Sequence, residues 1–259
     1  MKNENVSIEK VASLFGTTVD ALGQQCIDFH STLDMSYEIL VGKEKEEIVL
    51  DILKKIEGDK QRIGSPERTQ IWHNGWGENL SDFREQKQQS SIVPKFIRTS
   101  EVVRFDGEFI RPKSKFFERD MAVLLKLYLY HTILNEEIEN VYEFGAGSGY
   151  NLFEIMNYNS DLKLHGSDFV QSSVDLINEM AEHYNADLKA QIFNMIEPDY
   201  SYEIRPNSCV FTHGALEQLA SKTKNIINFF VYKKPKICFH LEPTVEVYDE
   251  NNLFDYLQI

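Results

Sequence analysis

The stretch Val141-Tyr142-Glu143-Phe144-Gly145-Ala146-Gly147-Ser148-Gly149-Tyr150-Asn151 restricts the fold of this chain more than any other. An apolar strand runs into a turn with glycine at every second position, and the residues from Asn151 to Met156 continue as an amphipathic helix. Three glycines strip the Cβ atoms from the turn, so its backbone takes positive φ and lies directly against a ligand. The N–H groups that open the helix face the same ligand.

The chain around this turn alternates. A long helix over 117–134, with Met121, Leu124, Leu125, Tyr128 and Leu129 at helical spacing, leads into it. Strands follow at 162–167, 188–193, 208–212 and 237–241, with helices at 171–184 and 218–231 between them. Strands apolar nearly throughout and alternating with helices predict an α/β, doubly wound, mainly parallel sheet covered on both faces. Right-handed crossovers then bring the strand ends and their loops to one edge.

Several function classes recede on composition. A formal net charge of −14 disfavours a protein that grips a phosphate backbone, so no nucleic-acid partner is expected. The helical pairing near Val11 to Leu22 is read as part of a cap or dimerisation arm, since its surroundings are acidic. Neither an apolar run of membrane-spanning length nor an apolar segment after Met1 is visible, so no membrane partner and a cytoplasmic location are expected. Cys26, Cys209 and Cys238 lack metal-ligand spacing and are expected as buried free thiols, and no metal is expected.

Glycine spacing separates two nucleotide-binding readings. A dinucleotide fingerprint wants G-x-G-x-x-G with a small residue where Tyr150 stands. The run Glu143-x-Gly145-x-Gly147-x-Gly149 resembles instead motif I of the class I S-adenosylmethionine-dependent methyltransferases, over roughly residues 117–256. The resemblance implies a methyltransferase-type Rossmann-like domain that binds S-adenosyl-L-methionine and releases S-adenosyl-L-homocysteine. It implies cofactor contacts from Glu143, Gly145, Ala146, Gly147, Gly149 and Asn151 at the turn. Asp168, at the second strand's end, would bind the ribose hydroxyls, with Phe169 against the adenine. Asn194 and Met195 match the adenine segment, with asparagine where aspartate is common, and Thr212, at the end of the fourth strand, is a further expected cofactor contact.

The fourth and fifth strand ends face methyl and acceptor in that family. His213 is the candidate general base, because a neutral imidazole suits proton removal near pH 7. Glu217 would orient it, and Glu242 would bind the acceptor or act as the base itself. Trp76, Arg111 and His240 are the candidate substrate contacts. The family's sheet usually has seven strands, and residues 255–259 fall where its next helix would begin, so the C-terminal strands are expected to be missing.

The first 115 residues are expected to form a helical cap or lid region, with 116–259 as the cofactor-binding domain. Helices are predicted between residues 7 and 60, a polar linker over 59–66, and a lid-like or tryptophan-pinned loop over 71–80. Asp106-Gly107 predicts a hairpin. Lys95, Arg98, Arg104, Arg111, Lys113, Lys115 and Arg119 gather basic charge around it, suited to an anionic small molecule. The expected activity is methyl transfer to a small-molecule acceptor, at oxygen before nitrogen. Its alternatives are a non-catalytic methyltransferase-like scaffold subunit and a nicotinamide-dependent oxidoreductase. The N-terminal helices or the open sheet edge are where a homodimer would form.

Overall fold

The computed structural model describes residues 3–58, 66–95, 99, 101–134, 137–244, 246 and 248–257. The expected linker lies almost wholly outside them, as does Arg98. In chain order the first elements are β1 (Asn3–Asn5), α1 (Ile8–Leu14), α2 (Gln24–Ser31), β2 (Ser36–Ile39), α3 (Gly42–Gly58) and α4 (Pro66–Gln86). Next come β3 (Val103–Phe105), β4 (Glu108–Pro112), α5 (Phe117–Ile133), β5 (Asn140–Phe144), α6 (Tyr150–Tyr158), β6 (Lys163–Asp168) and α7 (Gln171–Tyr184). The last are β7 (Leu188–Ile192), β8 (Ser208–His213), α8 (Lys224–Lys233), β9 (Ile237–Leu241) and α9 (Leu253–Tyr256).

Two compact units share these elements. The first comprises Met1–Lys60, Arg98–Thr132 and Thr244–Ile259. It holds an antiparallel sheet in the order β1, β2, β4, β3. Asp106 and Gly107 take φ of 48° and 78°, the left-handed pair that a two-residue hairpin needs, and β3 and β4 meet across them. Val11, Leu22, Met35, Tyr37, Ile110, Phe117 and Leu124 form its core. Residues 3–5 and 36–39, within and beside the stretch expected to be helical, are strands, because they pair with each other and with the distant β4.

The second unit comprises Gln61–Ile97 and Ile133–Pro243. Its sheet runs β7, β6, β5, β8, β9 and is parallel throughout. This is the doubly wound Rossmann-like order, and strand order reverses between β5 and β8, which opens a crevice beyond their carboxyl ends. Tyr142, Phe144, Phe193, Tyr202, Phe229 and Phe230 fill the core on one face. Among the described residues the sheet has five strands.

Three expectations need correction. The loop predicted over 71–80 is the middle of helix α4. The single helix predicted over 218–231 is a 3-10 turn at Glu217–Lys222 followed by α8, broken where Ala220 takes φ 49° and ψ −123°. Cys26 and Cys209 are buried free thiols, but Cys238 on the edge strand is exposed.

Candidate functional site

The glycine turn sits at the crevice. Gly145, Gly147 and Gly149 take φ of 76°, 54° and 75°, values that a residue with a Cβ adopts only at a cost of about 1–2 kcal/mol. Space forbids a side chain as well. A Cβ on Gly145 would come within 2.5 Å of Ala215 Cβ, one on Gly147 within 2.7 Å of the Trp76 indole, and one on Gly149 within 2.6 Å of Ile177.

Hydrogen bonds from β6 fix the turn. The N–H groups of Gly145 and Ala146 donate to Ser167 O at 2.8 and 3.0 Å. Asp168 Oδ2 accepts from Gly147 N–H at 2.9 Å, and its Oδ1 from Val170 N–H at 3.0 Å. Burial raises the Asp168 carboxyl above its ordinary range, and these N–H bonds oppose the rise. Asp168 therefore holds the turn in shape at the edge of the crevice.

A cleft of about 320 Å³ opens beside the turn. Gly145, Asp168, Phe169, Asn194 and Met195 line it, so five expected cofactor contacts converge. Asn194 Oδ1 also accepts from Ile196 N–H at 2.9 Å, which shapes the segment locally. Trp76 lines the cleft too, but from a helix rather than a lid loop. Trp72 stacks on it with ring centroids 5.7 Å apart. Gln218, Leu219 and Lys222 also line it and were not anticipated. The signal for Trp72 was present, since residues four apart share a helix face once 66–86 is read as helix.

Thr212 takes a different place from the expected one. It is fully buried, and its hydroxyl lies 2.7 Å from Glu242 Oε1 and 2.8 Å from His240 Nδ1. A carboxylate only accepts, so the hydroxyl donates to Glu242 and must accept from His240 Nδ1–H. Burial lowers the His240 pKa from its usual value. Glu242 also accepts from Ala215 N–H at 3.1 Å and Glu217 N–H at 3.3 Å. Its carboxylate thus ties the loop after β8 to the end of β9.

His213 ends β8, half-buried, with Nδ1 at 3.3 Å from Asn151 Oδ1. The Glu217 carboxylate expected to orient it accepts from Gln218 instead, at 2.8 Å. Asn151, expected at the cofactor, donates through Nδ2 to the buried Glu143 at 2.7 Å.

Three side chains of the basic concentration pair with carboxylates. Arg111, in the first unit, bonds to Glu44 at 2.5 Å; Arg119 bonds to Asp120 at 2.6 Å and Lys95 to Asp82 at 2.7 Å. These carboxylates are unseen in a one-dimensional count of basic residues. Among the described residues, no three His, Cys, Asp or Glu side chains gather to hold a metal ion, and no helix is long and apolar enough to cross a membrane.

No protein-family profile and no curated protein matches the chain. Solved structures resemble part of it. The 4+2 cyclase SpnF aligns at 12% identity over 65% of this chain and 56% of its own, with a TM-score of 0.43. PKMT2 from Rickettsia typhi, in complex with AdoHcy, aligns at 17% identity over 40% of this chain and 21% of its own, with a TM-score of 0.35. Geranyl diphosphate methyltransferase, in complex with SAM, aligns at 13% identity over 44% and 51%, with a TM-score of 0.31. In each case less than two thirds of the neighbour's length is matched.

Proposed function

We propose that the chain is an S-adenosylmethionine-dependent methyltransferase acting on a small-molecule acceptor, at oxygen in preference to nitrogen. The observation that carries this reading is the charge at the glycine turn. A dinucleotide would set its pyrophosphate on the turn and the α6 N-terminus. Here two buried carboxylates flank the turn, Glu143 at 1% exposure and Asp168 at 4%. Dinucleotide folds also carry an acid at the Asp168 position, so it is Glu143 at the base of the turn that disfavours a phosphate there and favours a ligand bearing sulfonium and ammonium groups.

The residues present fit that cofactor. Gly145 admits its close approach, Asp168 brings a carboxylate to the ribose hydroxyls, and Phe169, Asn194 and Met195 supply the adenine end of the cleft. When bound, the cofactor supplies a methyl group on a sulfur that is already a good leaving centre. The chain's part is to align the acceptor, exclude water and take up its proton. Trp72 and Trp76 wall the cleft against water, and His213 takes the proton. The net charge of −14 supports a small acceptor over a nucleic acid.

Calorimetric titration with S-adenosylhomocysteine, NAD and NADP tests the reading. Saturable binding of S-adenosylhomocysteine alone is expected, weakened about tenfold or more in Asp168→Asn as a charge-assisted hydrogen bond is lost. Binding of a dinucleotide, or no binding by a folded sample, would remove it in favour of the oxidoreductase or scaffold alternative.

A further inference from the structure

We propose that Asn151 is a positioning residue: by bridging the buried Glu143 carboxylate to His213, it fixes the imidazole proton on Nδ1 and makes Nε2 the basic nitrogen. The catalytic meaning of this rests on the methyltransferase reading, whereas the tautomer itself does not.

Sheet register brings the three together. Glu143 on β5 pairs with Phe211 on β8. Paired residues of a parallel sheet point to the same face, and so does a residue two further on. His213 therefore shares the face of Glu143. β5 ends at Phe144, where the chain turns away through the glycines, so His213 extends beyond its neighbour strand. Asn151, in the first turn of α6, spans the step between them.

Donor and acceptor chemistry then leaves one consistent assignment. A carboxylate accepts and does not donate, so the amide must turn its NH₂ toward Glu143, 2.7 Å away. Its carbonyl oxygen then faces His213 Nδ1 at 3.3 Å. That oxygen also only accepts, so Nδ1 must carry a proton and donate it. A neutral imidazole protonated on Nδ1 has its basic lone pair on Nε2. An imidazole in water favours the opposite form, with the proton on Nε2. The bridge thus selects the less common tautomer, which makes it a sharp quantity to measure.

The arrangement also follows the proton through the reaction. An acceptor hydroxyl that gives its proton to Nε2 keeps the O–H electron pair on oxygen, and the resulting imidazolium donates through Nδ1 toward Asn151. Glu143, 1% exposed, offsets the new positive charge through the polarised amide in a medium of low dielectric. Deprotonation of Nε2 by solvent restores the starting state.

The test is a two-bond ¹H–¹⁵N correlation spectrum of the full chain labelled at histidine, recorded with and without S-adenosylhomocysteine. His213 is assigned by the resonances lost in His213→Gln. The Nδ1–H tautomer is expected in the parent protein, giving way toward Nε2–H in Asn151→Leu. An Nε2–H tautomer in the parent protein would overturn the proposal, and this measurement needs no variant to fold. An unchanged tautomer in a folded Asn151→Leu that has lost cofactor affinity would also overturn it, and would make Asn151 a cofactor ligand. Should the parent show Nδ1–H yet bind no S-adenosylhomocysteine, the positioning role stands and the methyltransferase reading falls.

Discussion

Single residues in the second unit show how the sheet treats charge. His165 on β6 stacks against its register partner Tyr142 on β5, with centroids 4.2 Å apart and planes 9° from parallel. Burial pushes its pKa from 6.5 to about 4, helped by the cations Arg205, Lys189 and Lys163 and opposed by Asp187. The folded value lies below the unfolded one, so the unfolded chain takes up a proton first as pH falls. Stability associated with His165 is therefore complete above about pH 6.5, is lost on descending toward pH 4, and changes no further below that. Between pH 7 and pH 5 the loss should be roughly 1–2 kcal/mol, after discounting for partial exposure. Urea midpoints at the two pH values check it: His165→Phe, which keeps the stack, should lose less stability over that interval than the parent. Equal losses in both proteins would show that His165 does not titrate on unfolding.

Elements were legible in the sequence where local chemistry and tertiary packing agree. The strands of the parallel sheet are apolar runs because both faces are covered, and the glycine turn announces itself because only glycine fits positive φ beneath Ala215, Trp76 and Ile177. Asp168, Phe169, Asn194 and Met195 could be placed at the cleft because strand ends in a doubly wound sheet share one edge. Thr212 ends a strand too, yet it turns inward to Glu242 and His240, and nothing in its spacing distinguishes the two directions. Helix α4 was obscured for a different reason. Asn74, Gly75 and Gly77 carry turn chemistry, while Trp72, Trp76, Leu80 and Phe83 carry a helical stripe; packing decides for the stripe, with Phe83 fully buried. Both glycines have no atom within 4 Å of an added Cβ and no positive φ. Gly75→Ala and Gly77→Ala should each stabilise the protein by about 0.5–1 kcal/mol, through lower unfolded-state entropy at no steric cost. A raised thermal midpoint checks this, and a lowered one would mean that these positions need glycine for the helix's path.

At the scale of the whole molecule, the chain does not divide where its sequence invites a cut. A boundary at 115/116 separates a helical region from the alternating pattern, whereas the compact units interleave: α5 and the C-terminal segment go with the first, α4 with the second. Leu257 packs with Leu40 and Phe109 in the first unit, and Arg104 donates to Leu257 O at 3.2 Å. In the second unit α4 lies on α7, where Phe83 meets His183 and Tyr184 edge-on or tilted and Arg84 pairs with Glu179 at 2.6 Å. That position sets Trp76 over Gly147 and Trp72 in the cleft wall. A fragment of residues 116–259 would keep the glycine turn, Asp168 and the adenine segment, yet expose the α7 face that Phe83 covers and leave the turn without its indole. Cofactor affinity should therefore fail in residues 116–259 and survive in residues 61–243, which retain α4 beside the intact sheet. Calorimetry with S-adenosylhomocysteine on both fragments separates the cases, with circular dichroism to confirm folding. Full affinity in a folded 116–259 fragment would place the whole cofactor site on the sheet and reduce the tryptophan helix to packing; affinity only where α4 is present would make that helix part of the binding site.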